Sequence, residues 1–330
     1  MSLENQVFAE SPRATITPEC QKSIDRGTEW LVSAISLNGV GADVGQRPDL
    51  SCTAITGLAL LSQGNTFSGG RHSRELRSIL NVMLQKIDDL DYDERRGLAP
   101  SLVQRKIGRN ADLFLSALFL SQAFGDSSYN NKDIHKSLDK LVGIIAGTQG
   151  KDGTWGNDSW APVLGTVLGW ESLRAASSCG IKVDASATLA GKALLNKLKE
   201  KSADEADWMH HFYKEASSIR VLHSMGYRDE PDFEKCVQRI LKLAREDHRH
   251  FAQAGGEEYL AFSLVTECLL QRPRDSWQPW YPTVCDKLIR IQNRDGSWSG
   301  HHCITDRTFC TAAVLLTLQA PLRCMPISDL

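Results

Sequence analysis

Several things are scarce in this chain, and each scarcity closes off a class of protein. No apolar run approaches the roughly 18 residues of a membrane span, so no transmembrane segment is expected. Positive charge is not in excess: 38 Lys and Arg stand against 40 Asp and Glu, a formal net charge of −2. A phosphate backbone needs more than that, and no nucleic-acid partner is expected. Nine cysteines are scattered over 330 residues, and only Cys303 and Cys310 fall close together. Such spacing suits reduced thiols in a cytoplasmic protein better than a disulfide framework. The opening, MSLENQVFAESPRATITP, has no basic stretch followed by an apolar one, so no secretory signal is expected. No segment reads as a convincing strand.

What the chain does have is helical punctuation. Residues 1–16 read as a tail. Thr17-Pro18-Glu19 opens a helix, with proline in the first turn. From there helices with one apolar face alternate with helices that are apolar nearly all round. Twelve helices in six pairs are predicted. The all-round apolar members start near 49, 112, 160, 209, 257 and 304, and the last four intervals are 48, 49, 48 and 47 residues. A period that regular implies one helical hairpin repeated and stacked. Helices buried on every side next to amphipathic ones suggest two concentric layers. The fold class expected is all-α: a single (α/α)6 toroid of six hairpins over residues 17–330, with an open superhelical array of the same hairpins as the alternative.

Two tight loops repeat within this pattern. Gln149-Gly-Lys-Asp152-Gly153-Thr-Trp155 and Gln292-Asn-Arg-Asp295-Gly296-Ser-Trp298 share the spacing Gln-x-x-Asp-Gly-(Ser/Thr)-Trp. Asp-Gly favours a turn because glycine tolerates positive φ, and the tryptophan ring can pack where the next helix begins. The pattern resembles the QW motif of squalene/hopene cyclases and the related prenyltransferase repeat, a superfamily of helical toroids whose other main branch is the protein prenyltransferase β subunits. The resemblance implies the toroid and an isoprenoid or lipid-like ligand in its ring. Neither catalytic motif of the superfamily is intact. The nearest match to the cyclases' Asp-x-Asp-Asp is Asp91-Tyr92-Asp93-Glu94, and the prenyltransferases' zinc-binding Asp-x-Cys does not occur.

In a toroid the inner helices run parallel, so their N-termini, with unpaired N–H groups and positive dipole ends, gather at one mouth. Glu257, Asp306 and Asp112 start three apolar helices there. Carboxylates crowded into an apolar ring have raised pKa values and can donate protons, which makes these three the expected acids. His211, Tyr213, Tyr259, Phe262, Trp160 and Phe309 are the expected substrate-binding residues, the aromatic rings being suited to stabilise positive charge. His211, His302 and Cys303 form a candidate zinc site, imidazole and thiolate both being zinc ligands. The function these features point to is acid-catalysed rearrangement of an isoprenoid or lipid-like substrate. A non-catalytic ligand- or protein-binding toroid and a zinc-dependent enzyme are the alternatives. Oligomeric state is not legible.

Overall fold

The computed structural model describes residues 14–91, 98–125, 131–183, 185–199, 208–246 and 251–323. The side chains of residues 198, 199, 208–211, 213 and 246 fall outside that description, as do most of the expected tail and Tyr92-Asp93-Glu94. The chain is predominantly helical among the described residues. Among the described residues no helix is long and apolar enough to cross a membrane.

Five helices are apolar nearly all round, α2 (Leu50–Ser62), α5 (Ala111–Ala123), α7 (Pro162–Ser178), α11 (Gly256–Leu270) and α14 (Arg307–Leu318), and a sixth, α9 (Trp208–Ser224), is apolar mainly in its deeper part. A helix with no polar face must be covered on every side, and α11 and α14 are buried over almost their whole length. Six others carry a single apolar stripe: α1 (Pro18–Ser33), α3 (Ser73–Asp88), α6 (Asn131–Gly147), α8 (Ser186–Lys199), α10 (Pro231–Glu246) and α13 (Tyr281–Arg290). The caps are local. Thr17 Oγ1 accepts from Cys20 N at 3.2 Å to start α1, and Asp49 Oδ1 accepts from Cys52 N at 2.9 Å to start α2. Gly226, at φ 82°, follows the end of α9.

The apolar helices contact one another in cyclic order: α2 with α5, α5 with α7, α7 with α9, α9 with α11, α11 with α14, and α14 back with α2. Small residues permit close approach. A Cβ on Gly57 would lie 2.4 Å from the Phe119 ring, so α2 and α5 meet there only because the side chain is absent. The striped helices pack on this cycle, α1 against α14 and α13, α3 against α2 and α6, α8 against α7 and α9, and α10 against α9 and α13.

Two features depart from the expected twelve helices. A two-residue hairpin, β1 (Ile35–Ser36) with β2 (Gly39–Val40), follows α1, and two short helices, α4 (Leu102–Ile107) and α12 (Arg274–Trp277), fill connections. Of these, α4 matters for chemistry.

Candidate functional site

Helix α4 exists because Ser101 and Gln104 cap it reciprocally: Ser101 Oγ accepts from Gln104 N at 3.2 Å and Gln104 Oε1 accepts from Ser101 N at 3.0 Å. Gly108, at φ 131°, then turns the chain into α5. Lys106, near the end of α4, is buried. Its Nζ lies 3.3 Å from Glu257 Oε1 and 3.5 Å from Cys303 Sγ. Helices α5 and α11 are three steps apart either way round the cycle, so the segment leading into α5 reaches the opposite side.

Glu257 is fully buried in the first turn of α11. Its Oε2 accepts from Ile304 N at 3.2 Å, fastening the start of α11 to the loop before α14. Its Oε1 lies 3.6 Å from His302 Nδ1. The next residue, Glu258, turns back on its own helix, Oε2 accepting from Gly255 N at 2.5 Å, and stands 3.8 Å from His302 Nε2. His302 therefore sits between two glutamates with neither ring nitrogen hydrogen-bonded. Burial pushes its pKa down, against the pull of Glu257. Cys303 has φ 52°, a left-handed backbone uncommon outside glycine, and burial and the Glu257 charge push its thiol up.

A second pair of carboxylates lies between neighbouring helices of the cycle. Burial holds Asp49, the cap of α2, above the usual carboxylate range. Asp306 precedes α14 but makes no side-chain capping bond, contrary to the capping role its position suggests. Burial first, and then the charge of Asp49, push its carboxyl up to about 6, with Arg105 of α4 opposing.

The other expected site residues are more dispersed. Asp112 is buried in the first turn of α5. Trp160 is 65% exposed, with Lys106 Nζ 5.9 Å from its ring centroid. Tyr259 is buried and its hydroxyl donates to Ser299 O at 3.3 Å. Phe262 packs in an aromatic group, 5.0 Å from Phe212 and 4.8 Å from Phe251 between ring centroids. Phe309 is buried against Gly256. His211 and Tyr213 lie on α9, but their side chains are outside the described residues. Of the expected metal ligands, His302 and Cys303 do come together, with Glu257 as the third donor: one ligand atom from each lies within 4.8 Å of the others.

Sequence reasoning missed Lys106, whose only local signal is the Ser-x-x-Gln cap of the helix that carries it. It also missed a buried ion network deeper in the cycle. Arg220 of α9 donates to Glu171 of α7 through Nε and Nη2, both at 3.1 Å, and Nη1 lies 3.5 Å from Glu267 Oε2 of α11. Separations of 49 and 47 residues place these three at equivalent points of successive repeats. Charges recurring at the repeat period within three of these helices were a usable signal, because a buried charge requires a partner. Arg220, Glu171 and Glu267 line a cavity of about 30 Å³ together with leucines from the other five helices of the cycle, Leu58, Leu115, Leu168, Leu260 and Leu316 among them.

No family model and no curated protein matches this chain.

Proposed function

We propose that the cycle of six apolar helices is the inner ring of an (α/α)6 toroid, and that its mouth is an acid–base site acting on an isoprenoid or lipid-like ligand bound in the ring. The toroid reading is supported by the return of the contacts from α14 to α2 and by a cavity that all six helices line. The catalytic reading rests on Asp306. It is a carboxyl in the mouth, beside a second carboxyl and free of the capping bond that would occupy it, with a pKa raised to about 6. An acid in that range keeps a minor protonated fraction at near-neutral pH and is strong enough to give the proton up. Glu257 takes a different role, because Lys106 neutralises it at 3.3 Å and Ile304 N holds its other oxygen. It positions the loop and does not donate a proton.

A cavity of about 30 Å³ holds roughly two water molecules. A ligand of isoprenoid size therefore displaces the lining leucines as it enters. The test is organic extraction of the purified protein with mass spectrometry of what is bound, followed by turnover of that compound by wild type and Asp306→Asn. The amide is expected to bind the compound and leave it unconverted. A wild type that returns the compound unchanged would favour the non-catalytic toroid. A second readout concerns stability. The folded carboxyl is raised from 3.8 to about 6, so stability is lost as pH rises through that window. Asp306→Asn, which mimics the neutral acid, is expected to melt above wild type at pH 7 and level with it near pH 4.

One observation favours zinc as a second reading: both nitrogens of His302 are buried without a hydrogen-bond partner, and such orphans call for an explanation that an ion can supply. Glu257, His302 and Cys303 offer oxygen, nitrogen and sulfur donors suited to zinc, which would supply Lewis-acid chemistry at the mouth. Lys106 Nζ stands among the same donors and would have to withdraw. Elemental analysis decides: about one zinc per chain, lost in His302→Ala, supports this reading, and metal-free protein that does not bind added zinc removes it.

A further inference from the structure

The cavity that the six helices share has two unlike sides. Helices α14, α2 and α5 present only leucine to it, Leu316, Leu58 and Leu115 among them. Helices α7, α9 and α11, neighbours in the cycle, add Glu171, Arg220 and Glu267. All three charged side chains are buried, so their hydrogen bonds have to be met inside the protein. The two ion pairs of Arg220 are unequal. Nε and Nη2 hold Glu171 bidentately at 3.1 Å, and Ser224 Oγ adds a bond to Glu171 Oε1 at 2.9 Å. Nη1 stands 3.5 Å from Glu267 Oε2 and 3.7 Å from Cys268 Sγ, long contacts for a charged donor. The other oxygen of Glu267 is held by Arg323. One side of the cavity thus carries a donor and an acceptor that grip each other only weakly.

We propose that the ligand of this cavity is an isoprenoid or lipid-like alcohol, its hydroxyl set between Arg220 Nη1 and Glu267 Oε2 and its hydrocarbon body on the leucine side. This names the ligand class for the reading above and rests on that reading. A hydroxyl both accepts and donates, so it takes the Arg220 N–H and gives its own to Glu267. A plain hydrocarbon offers neither bond. A carboxylate or a diphosphate brings negative charge against Glu171 and Glu267, and that charge finds no surplus of buried cations. The two glutamates already balance Arg220 and Arg323, and Arg174, 3.6 Å from Glu171, is 32% exposed and screened by water. The arrangement also sets the direction in which the ligand lies. Glu257, at the start of α11, is bonded to Ile304, two residues before Asp306. From Glu257 to Glu267 the helix advances about 15 Å. The hydroxyl end is therefore the deep end, and the far end of the hydrocarbon is what Asp306 meets.

The test measures binding of three probes with one carbon skeleton, farnesol, farnesene and farnesoic acid, to the intact protein by equilibrium dialysis. Farnesol is expected to bind about tenfold tighter than either of the others, the worth of one hydrogen bond to a charged group. Glu267→Gln keeps the shape and removes one negative charge. It is expected to tighten farnesoic acid about tenfold and to leave farnesene unchanged. Should that variant not fold, the wild-type order of the three probes still decides. Farnesene binding as tightly as farnesol, farnesoic acid binding tightest to wild type, or a folded Glu267→Gln with no gain for the acid would each overturn the proposal while leaving the isoprenoid reading in place. If none of the three binds, both fall. Farnesol bound tightest but recovered unconverted supports the proposal and counts against catalysis alone.

Discussion

The two Gln-x-x-Asp-Gly-(Ser/Thr)-Trp loops are nearly the same object put to different uses. In each, the tryptophan Nε1 donates to the carbonyl ten residues earlier, Trp155 to Ile145 at 2.9 Å and Trp298 to Leu288 at 2.8 Å. In each, the aspartate Oδ1 accepts the N–H and hydroxyl of the residue two further on, at 3.1 and 2.8 Å in both copies. In each, a glycine at positive φ lies so close to a neighbouring helix that a Cβ would stand 2.6 Å from a carbonyl oxygen. The difference is whose carbonyl it is. For Gly153 it is Leu189 of α8, the next striped helix in sequence; for Gly296 it is Arg26 of α1, the first. Gln149 likewise donates to Ser186 O at 3.0 Å, and Gln292 to Ser23 O, 269 residues away. The second copy of the device fastens the loop before α14 to α1. Closure is thus a property of the partner and not of the loop.

The largest expected effect comes from the rings. Trp298→Ala and Trp155→Ala should each cost about 3–5 kcal/mol, measured by denaturant melts, because both side chains are buried. Hydrogen exchange should separate them: amides of α1 lose protection in the first variant and amides of α8 in the second. The same amides loosening in both would show that the loops do not have separate clients. Next in size are Gly296→Ala and Gly153→Ala, about 2 kcal/mol each, since φ values of 97° and 85° strain any side chain before the 2.6 Å contact is counted. Unequal losses would place the backbone pressure at one loop alone.

Smaller still is the glutamine difference. Gln292 accepts a bond from Ser23 Oγ in addition to the two it donates. Gln292→Ala should therefore cost about 1 kcal/mol more than Gln149→Ala, and a Ser23→Ala background should remove that excess. The smallest effect is electrostatic. Asp152 has a lowered pKa because Thr154 donates to it; Asp295 is also lowered, against the burial that raises it, by Ser297 and Arg307. A lowered carboxylate stabilises above its unfolded pKa and loses that contribution as pH falls through the folded one. Asp152→Asn and Asp295→Asn should each cost about 0.5 kcal/mol at pH 7, both groups being largely exposed. Both variants should converge on wild type as pH falls through the lowered folded pKa of each aspartate.

The helices were legible because their signals are local. Burial all round requires an unbroken apolar composition, and the regular spacing of such runs could be read from the chain alone. So could the loops, whose glutamine, aspartate, glycine and tryptophan satisfy one another within ten residues. The candidate site was only partly legible. Glu257, His302 and Cys303 could be nominated from their positions, but the neutralising Lys106 comes from a short helix some 150 residues earlier in the chain. Asp306 could be placed at a helix start, where capping is the ordinary role; that it makes no cap and lies beside Asp49 depends on how α14 sits against α2.

The sequence by itself determined the helical class, the repeat of one hairpin and the two bracing loops, since each follows from propensity, periodicity or bonds between near neighbours. Tertiary structure alone decided which helix each loop fastens, which cation neutralises Glu257, and that Glu171, Arg220 and Glu267 face one another around a shared cavity. Those depend on surfaces far apart in the chain meeting at particular angles. A charge inside an apolar helix announces that it needs a partner, but only packing selects which one it gets.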